Sequence, residues 1–123
     1  MKILVLNALL LLIGLQHLLF MWLEMWAWDK PLGRRVFGLD ADFARQSKTL
    51  ALNQGLYNGF LAAGLLWSAF SNLMALKLFF LICVFAAGVV GGLTAGRRIF
   101  WIQGFPAMLG LILLSWLTHL GGW

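Results

Sequence analysis

The run ILVLNALLLLIGLQHLLFMWL, from Ile3 to Leu23, contains no Asp, Glu, Lys or Arg. It matches the ~20 apolar residues that an α-helix needs to cross the hydrocarbon core of a bilayer. Working outward, the same absence of charge recurs from Thr49 to Leu76, from Leu78 to Gly96 and from Ile99 to Trp123. A chain that is 63% hydrophobic and 11% charged cannot clothe a water-soluble globule in polar surface. The expectation is an all-α integral membrane protein, a four-helix up-down bundle forming a single transmembrane domain over residues 1–123. Its spans are expected at about 3–28, 50–71, 75–96 and 99–120, with one polar loop at about 29–48. Short connections near Ser71-Asn72 and at Gly96-Arg97-Arg98 make consecutive helices antiparallel neighbours. What remains is too short for a soluble catalytic domain, a dinucleotide-binding unit or a nucleic-acid module.

The formal charge of +5 finds its explanation in topology. Lys30, Arg34, Arg35, Arg45 and Lys48 lie between the first two spans and Arg97 and Arg98 between the last two, while only Lys2 and Lys77 lie on the other side. Seven against two of the nine basic residues places both basic connections in the cytoplasm and both termini outside it. These residues form no aromatic-interleaved surface, so no nucleic-acid partner is expected; the partner is the lipid bilayer. The opening Lys2 and apolar run imitate a secretory signal, yet the run passes through Met21-Trp22-Leu23 without a small-x-small cleavage site, so the first span is expected to be retained. Cys83 is the only cysteine and falls within an apolar span, which excludes an intramolecular disulfide and reads as a packed thiol. Neither a CxxC nor a His-x-x-x-His spacing points to a metal.

Polar residues inside spans are the informative ones, because placing them in lipid costs free energy that packing alone does not demand. At 100° per residue His17 and Glu24 fall ~20° apart, with Met21 and Trp28 on the same face. Asn53, Gln54, Tyr57 and Asn58 occupy an arc of ~140°, roughly opposite Gly55 and Gly59. Glu24, Asn53 and Gln103 each sit ~5–6 Å inside a cytoplasmic helix end, whereas His17 lies ~16 Å in. Pro106 deprives the Ile102 carbonyl of its usual partner close to Gln103. The pattern describes a polar funnel entering from the cytoplasm and floored by His17, with Glu24, His17 and Tyr57 as candidate catalytic groups. Asn53, Gln54, Asn58, Gln103, Trp28 and Met21 are its candidate ligand-binding residues. Each also has a structural role open to it: interhelical hydrogen bonding for the carboxamides, a satisfied bundle position for His17, a packed ring for Tyr57, an aromatic belt for Trp28 with Trp22 and Trp26. Asp40 or Asp42 is placed to cap a helix that runs into the second span. The stripes Gly55, Gly59, Ala63 and Gly88, Gly92, Gly96 read as close-packing faces, within the chain or between copies in a homo-oligomer.

LEMWAW at Leu23–Trp28, VFGL at Val36–Leu39, NQGLYNGFLAAG at Asn53–Gly64 and QGFPA at Gln103–Ala107 together resemble the small bacterial membrane proteins grouped as domain of unknown function 1304. The likeness runs through nearly the whole chain, and its most specific block is Asn53–Gly64. It implies a similar length, four spans and a bacterial inner membrane location, and it brings no established activity. In that family's pattern an acidic residue often precedes the first-span histidine, where this chain has Gln16.

Three functions fit these residues. One is an intramembrane enzyme, such as an isomerase, acting by proton transfer on a small, fairly apolar molecule, with His17 and Glu24 as base and acid and the Asn and Tyr groups orienting an oxygen. Its variant, with a haem or quinone beside His17, rests on a single histidine. The second is a non-catalytic solute-binding or transport protein, and the third a structural or regulatory subunit. All three share one topology. A reporter active only in the periplasm should therefore work when fused after Trp123, and activity of a cytoplasm-only reporter there would reverse the orientation.

Overall fold

The computed structural model describes residues 1–119, and among these every regular element is helical. Helix α1 spans Lys2–Trp22 and continues as a π-helical turn at Leu23–Ala27. A short α2 covers Pro31–Phe37, with Pro31 at its first turn and Gly38 closing it in the left-handed region at φ 66°. Helix α3 spans Ala41–Phe70, and of its two candidate caps Asp40 takes the role, accepting the Phe43 N–H at 2.8 Å. After a turn in which Ser71 Oγ accepts the Leu73 N–H at 3.1 Å, α4 runs from Met74 to Thr94. A single turn, α5 at Arg97–Ile99, leads through a second π-helical turn at Phe100–Gly104 into α6 at Phe105–His119.

Three stretches are long and apolar enough to cross a membrane: Lys2–Ala27, Met74–Thr94 and Arg97–His119. The expected end of the last span, Leu120, lies outside the described residues. The stretch expected as the second span lies in α3 up to Phe70, one residue short of its expected end, and at 30 residues the helix has ample length. It stands apart in composition, because Asn53, Gln54, Tyr57 and Asn58 interrupt its apolar surface and Asp42, Arg45 and Lys48 charge its first turns.

Consecutive long helices run in opposite directions, as their contacts show. Gly14 faces Leu66 and Met21 faces Gly59 between α1 and α3; Ser68 meets Lys77 and Gly64 meets Phe80 between α3 and α4; Leu81 faces Gly110 and Gly88 faces Gly104 between α4 and the final helix. Leu6, Leu10 and Ile13 of α1 form the core with Leu65, Leu81, Val84, Ala107, Leu114 and Leu117. Large apolar side chains such as Leu12, Leu15, Leu19, Trp67, Phe79 and Trp116 remain exposed on the outside, where a membrane helix meets lipid tails.

The glycine stripes are used within the chain. The position a Cβ would take at Gly64 is filled by the Phe80 ring, and at Gly88 it is filled by the backbone of Gly104. Gly55 and Gly59 receive Met25 and Met21. Gly96 departs from its expected stripe: it forms the turn before Arg97 with φ 153°, a conformation that suits a residue without a Cβ.

Lys77, counted from the sequence among the charges on the non-cytoplasmic side, is engaged in helix packing. It is 1% exposed, its ammonium donating to Asn7 Oδ1 at 2.8 Å and to the Ser68 carbonyl, so that it ties α1, α3 and α4 together.

The two kinds of glycine contact should respond differently to a methyl group. At Gly59 the obstacle is the flexible Met21 thioether, whose sulfur lies 2.8 Å from where a Cβ would stand, so Gly59→Ala should be close to neutral as the gain in helix propensity offsets a small shift. At Gly88 the obstacle is backbone, the helices must separate, and Gly88→Ala should cost about 1–3 kcal/mol. Melting in detergent measures both; equal effects would mean that Gly88 does not set the helix separation.

Candidate functional site

The end of the molecule that carries both π turns also gathers the polar residues. A π turn holds one more residue per turn than an α-helix, widening the helix and redirecting the side chains on it, and such turns recur at functional sites. In the second, the Phe105 N–H donates to the Phe100 carbonyl five residues back. The cause lies next door: Pro106 has no N–H to continue the α-helical ladder, and the backbone adjusts before it. The first π turn is backed by α2, where Gly33 lies directly on the Ala27 carbonyl with no room for a side chain. Glu24 sits on the first π turn and Gln103 on the second.

These two residues line one cavity of about 440 Å³ together with Gln54, Tyr57 and Asn58 of α3. Its opposite wall is α4, through Ala87, Val90, Gly91 and Thr94, so the cavity is a crevice between α3 and α4 on the π-turn side of the Gly64–Phe80 contact. Asn58 Nδ2 donates to Glu24 Oε2 at 2.6 Å, a hydrogen bond joining α3 to the first π turn. A second cavity, of about 620 Å³, shares Glu24, Gln54 and Tyr57 with the first and adds Trp28, Phe43, Ser47 and Asn53. Glu24 is the one charged residue lining either space.

The side chains differ in how firmly they are held. Trp28 donates its Nε1–H to Ser47 Oγ at 3.0 Å and lies against Phe37 with ring centroids 4.8 Å apart. Ser47 is itself anchored, donating to the Phe43 carbonyl at 2.6 Å. Asn53 Nδ2 donates to the Thr49 carbonyl of its own helix at 3.2 Å. Tyr57 is 55% exposed, resting at an angle to Phe60.

Two expected members stand elsewhere. His17 is wholly buried and lines neither cavity: its Nδ1 lies 2.8 Å from the Ile13 carbonyl, its ring meets Phe20 edge-on, and its Nε2 has no hydrogen-bond partner among the described residues. The expected funnel floored by His17 is thus represented by a crevice whose lining does not include His17. Met21 lines neither cavity and instead packs into the space left by Gly59. The sequence reading omitted the α4 wall and the pair Phe43 and Ser47, which carry no signal beyond ordinary helix composition. No group of three or more potential metal ligands occurs among the described residues.

Just outside the first span, Lys48 Nζ donates to Asp29 Oδ2 at 3.0 Å. That hydrogen bond, aided by the Lys48 charge, holds the Asp29 carboxyl below the usual carboxylate range.

The chain matches the family described as protein of unknown function (DUF1304) over residues 11–115, a range that contains every residue lining the two cavities. It is also similar to the uncharacterized protein YpaA of Lactococcus lactis subsp. lactis (strain IL1403), at 34% identity over 106 residues, covering 83% of this chain and 89% of that protein. No solved structure matches it.

Because the folded-state pKa of Asp29 is depressed, the ion pair contributes its stability at neutral pH and loses it as pH falls through that lowered value. Lys48→Met should move the Asp29 titration up toward the ordinary carboxylate range and flatten the acid limb of the stability profile. Carboxyl-detected NMR reads the titration directly; an unmoved Asp29 would mean that the contact is not formed in the membrane.

Proposed function

The chain belongs to the family of proteins of unknown function DUF1304, whose membership carries no reaction, and we propose from the crevice itself that the protein binds a small amphipathic molecule within the membrane. In this reading its four long helices form an up-down bundle in a bacterial inner membrane, both termini face the periplasm, and the π-turn end faces the cytoplasm. The Lys/Arg distribution supports that orientation.

One observation carries the binding reading. Glu24, Gln54, Tyr57, Asn58 and Gln103 come from three separate segments, yet all line one space whose remaining walls are largely aliphatic. Polar groups used only to join helices would face each other and be consumed in mutual hydrogen bonds. Here Gln54 and Tyr57 are exposed and line both cavities. An apolar pocket with a few convergent polar groups is the ordinary form of a small-molecule site.

Binding is favoured over isomerisation by the position of His17. Proton transfer between two sites of a substrate requires acid and base within hydrogen-bond reach of the same molecule. Glu24 and Tyr57 line the crevice and His17 does not.

Filling the crevice tests this without touching its polar groups. Ala87 is exposed and lines it, whereas Ala8 is exposed on α1 and lines neither cavity. Native mass spectrometry of gently extracted protein should find a co-purified small molecule in the parent and in Ala8→Trp, and its occupancy should fall by about tenfold or more in Ala87→Trp, a loss of ~1.4 kcal/mol in binding. Equal retention in the two variants would place the molecule elsewhere and remove the basis of the proposal.

A further inference from the structure

Resting on the reading of the crevice as a binding site, we infer that its ligand is a lipophilic organic monocation, an amine or quaternary ammonium, with Glu24 as its counter-ion, Tyr57 as the aromatic wall of the crevice, and Trp28 and Phe43 as aromatic walls of the second cavity, which shares Glu24 and Tyr57 with the crevice.

The argument begins with the acidic residues, of which the chain has four against nine basic ones. Three have evident partners: Asp29 is paired with Lys48, Asp42 with Arg45, and Asp40 caps α3 through the Phe43 N–H. Two of the four, Asp40 and Glu24, are without a cation among the described residues; Asp40 is exposed and spends its carboxylate on the cap, whereas Glu24 is half-buried and caps nothing, although the chain has basic residues to spare. Its protein partner is the neutral Asn58 amide, which engages Oε2. No Lys or Arg lines either cavity around it. A carboxylate placed at membrane depth without a counter-charge is costly, and the cost falls if a cation enters from outside.

The surroundings specify what kind of cation. A bare metal ion needs several hard ligands, and no cluster of three or more His, Cys, Asp or Glu is present among the described residues. An organic cation brings its own apolar surface instead, which suits the aliphatic α4 wall. Aromatic rings add attraction for an ammonium group through their negative faces, most of all when the ammonium carries alkyl groups and is weakly hydrated. Trp28 is fixed in advance by Ser47 and Phe37, and its N–H is already engaged, so what it offers the cavity is its ring. An anion would meet the Glu24 charge with no cation to offset it. A neutral molecule would leave that charge unanswered.

The probes are benzyltrimethylammonium and its uncharged carbon isostere, neopentylbenzene. The full chain is placed in phosphatidylcholine nanodiscs, whose zwitterionic lipid gives no net charge, and binding is measured by equilibrium dialysis against empty nanodiscs. The ammonium should bind saturably to the parent and at least about tenfold more weakly to Glu24→Gln, with Glu24→Asp intermediate, while the neutral isostere should be indifferent to these changes. Melting of each variant verifies that it is folded, and Trp28→Leu supplies a second, uncharged test, since it should weaken the ammonium more than the isostere. If the isostere binds saturably and is displaced from Ala87→Trp while the ammonium does not bind, the crevice is a binding site for a neutral molecule and the cation assignment falls alone. If the ammonium binds equally to the parent and to Glu24→Gln, the counter-ion role is overturned. If neither probe binds saturably, both the cation and the crevice reading fail.

Discussion

Helices in lipid gain little from burying apolar surface against one another, since the tails they leave are as apolar as the side chains they meet. Cohesion must come from close approach and from hydrogen bonds that lipid cannot replace. In this protein the approach of Gly88 to Gly104 joins α4 to the last helix, and the Phe80 ring set into Gly64 joins α4 to α3. Both contacts hold α4 against neighbours on two sides. Past the second of them, α3 and α4 leave room between them for the crevice. The same contact that secures the two helices thus marks where they part.

The π turns act on this frame locally. An unbroken α-helix through Pro106 would leave a carbonyl unpaired in a solvent that offers no replacement, so the widened turn at Phe100–Gly104 is a response of the backbone to a residue without an N–H. It also redirects Gln103. The corresponding turn at Leu23–Ala27 contains no proline, and its conformation is instead supported by α2 packed on the Ala27 carbonyl. Helix α2 and the Trp28–Ser47 bond therefore position Glu24 indirectly, by fixing the backbone from which it projects.

Much of this was legible in the sequence, and the exceptions have identifiable causes. Charge-free runs and connection lengths report the helices, since both follow from bilayer thickness. The arc of Asn53, Gln54, Tyr57 and Asn58 reports the polar face of α3, because α3 is regular throughout and a helical wheel describes it faithfully. The wheel fails for α1: Glu24 lies beyond the point where the period changes, and its alignment with His17 at 100° per residue does not carry both into one cavity. The packing role of Lys77 was not legible because counting charges assigns every lysine near a span end to the interface, whereas this one has partners on two other helices. The polarity that reveals the crevice also explains why α3 does not look like a simple span.

Lys77 has a consequence for how the protein is made. A lysine within a span opposes partition into lipid by up to ~3 kcal/mol on insertion scales, so α4 enters more readily if its ammonium has somewhere to go. Both of its acceptors, Asn7 and the Ser68 carbonyl, lie upstream in the chain and leave the ribosome earlier. Synthesis thus delivers the acceptors before the donor. Vectorial biosynthesis and the final hydrogen-bond pattern run in the same order, so that what the α4 lysine needs is already present in the N-terminal half of the chain when α4 is made.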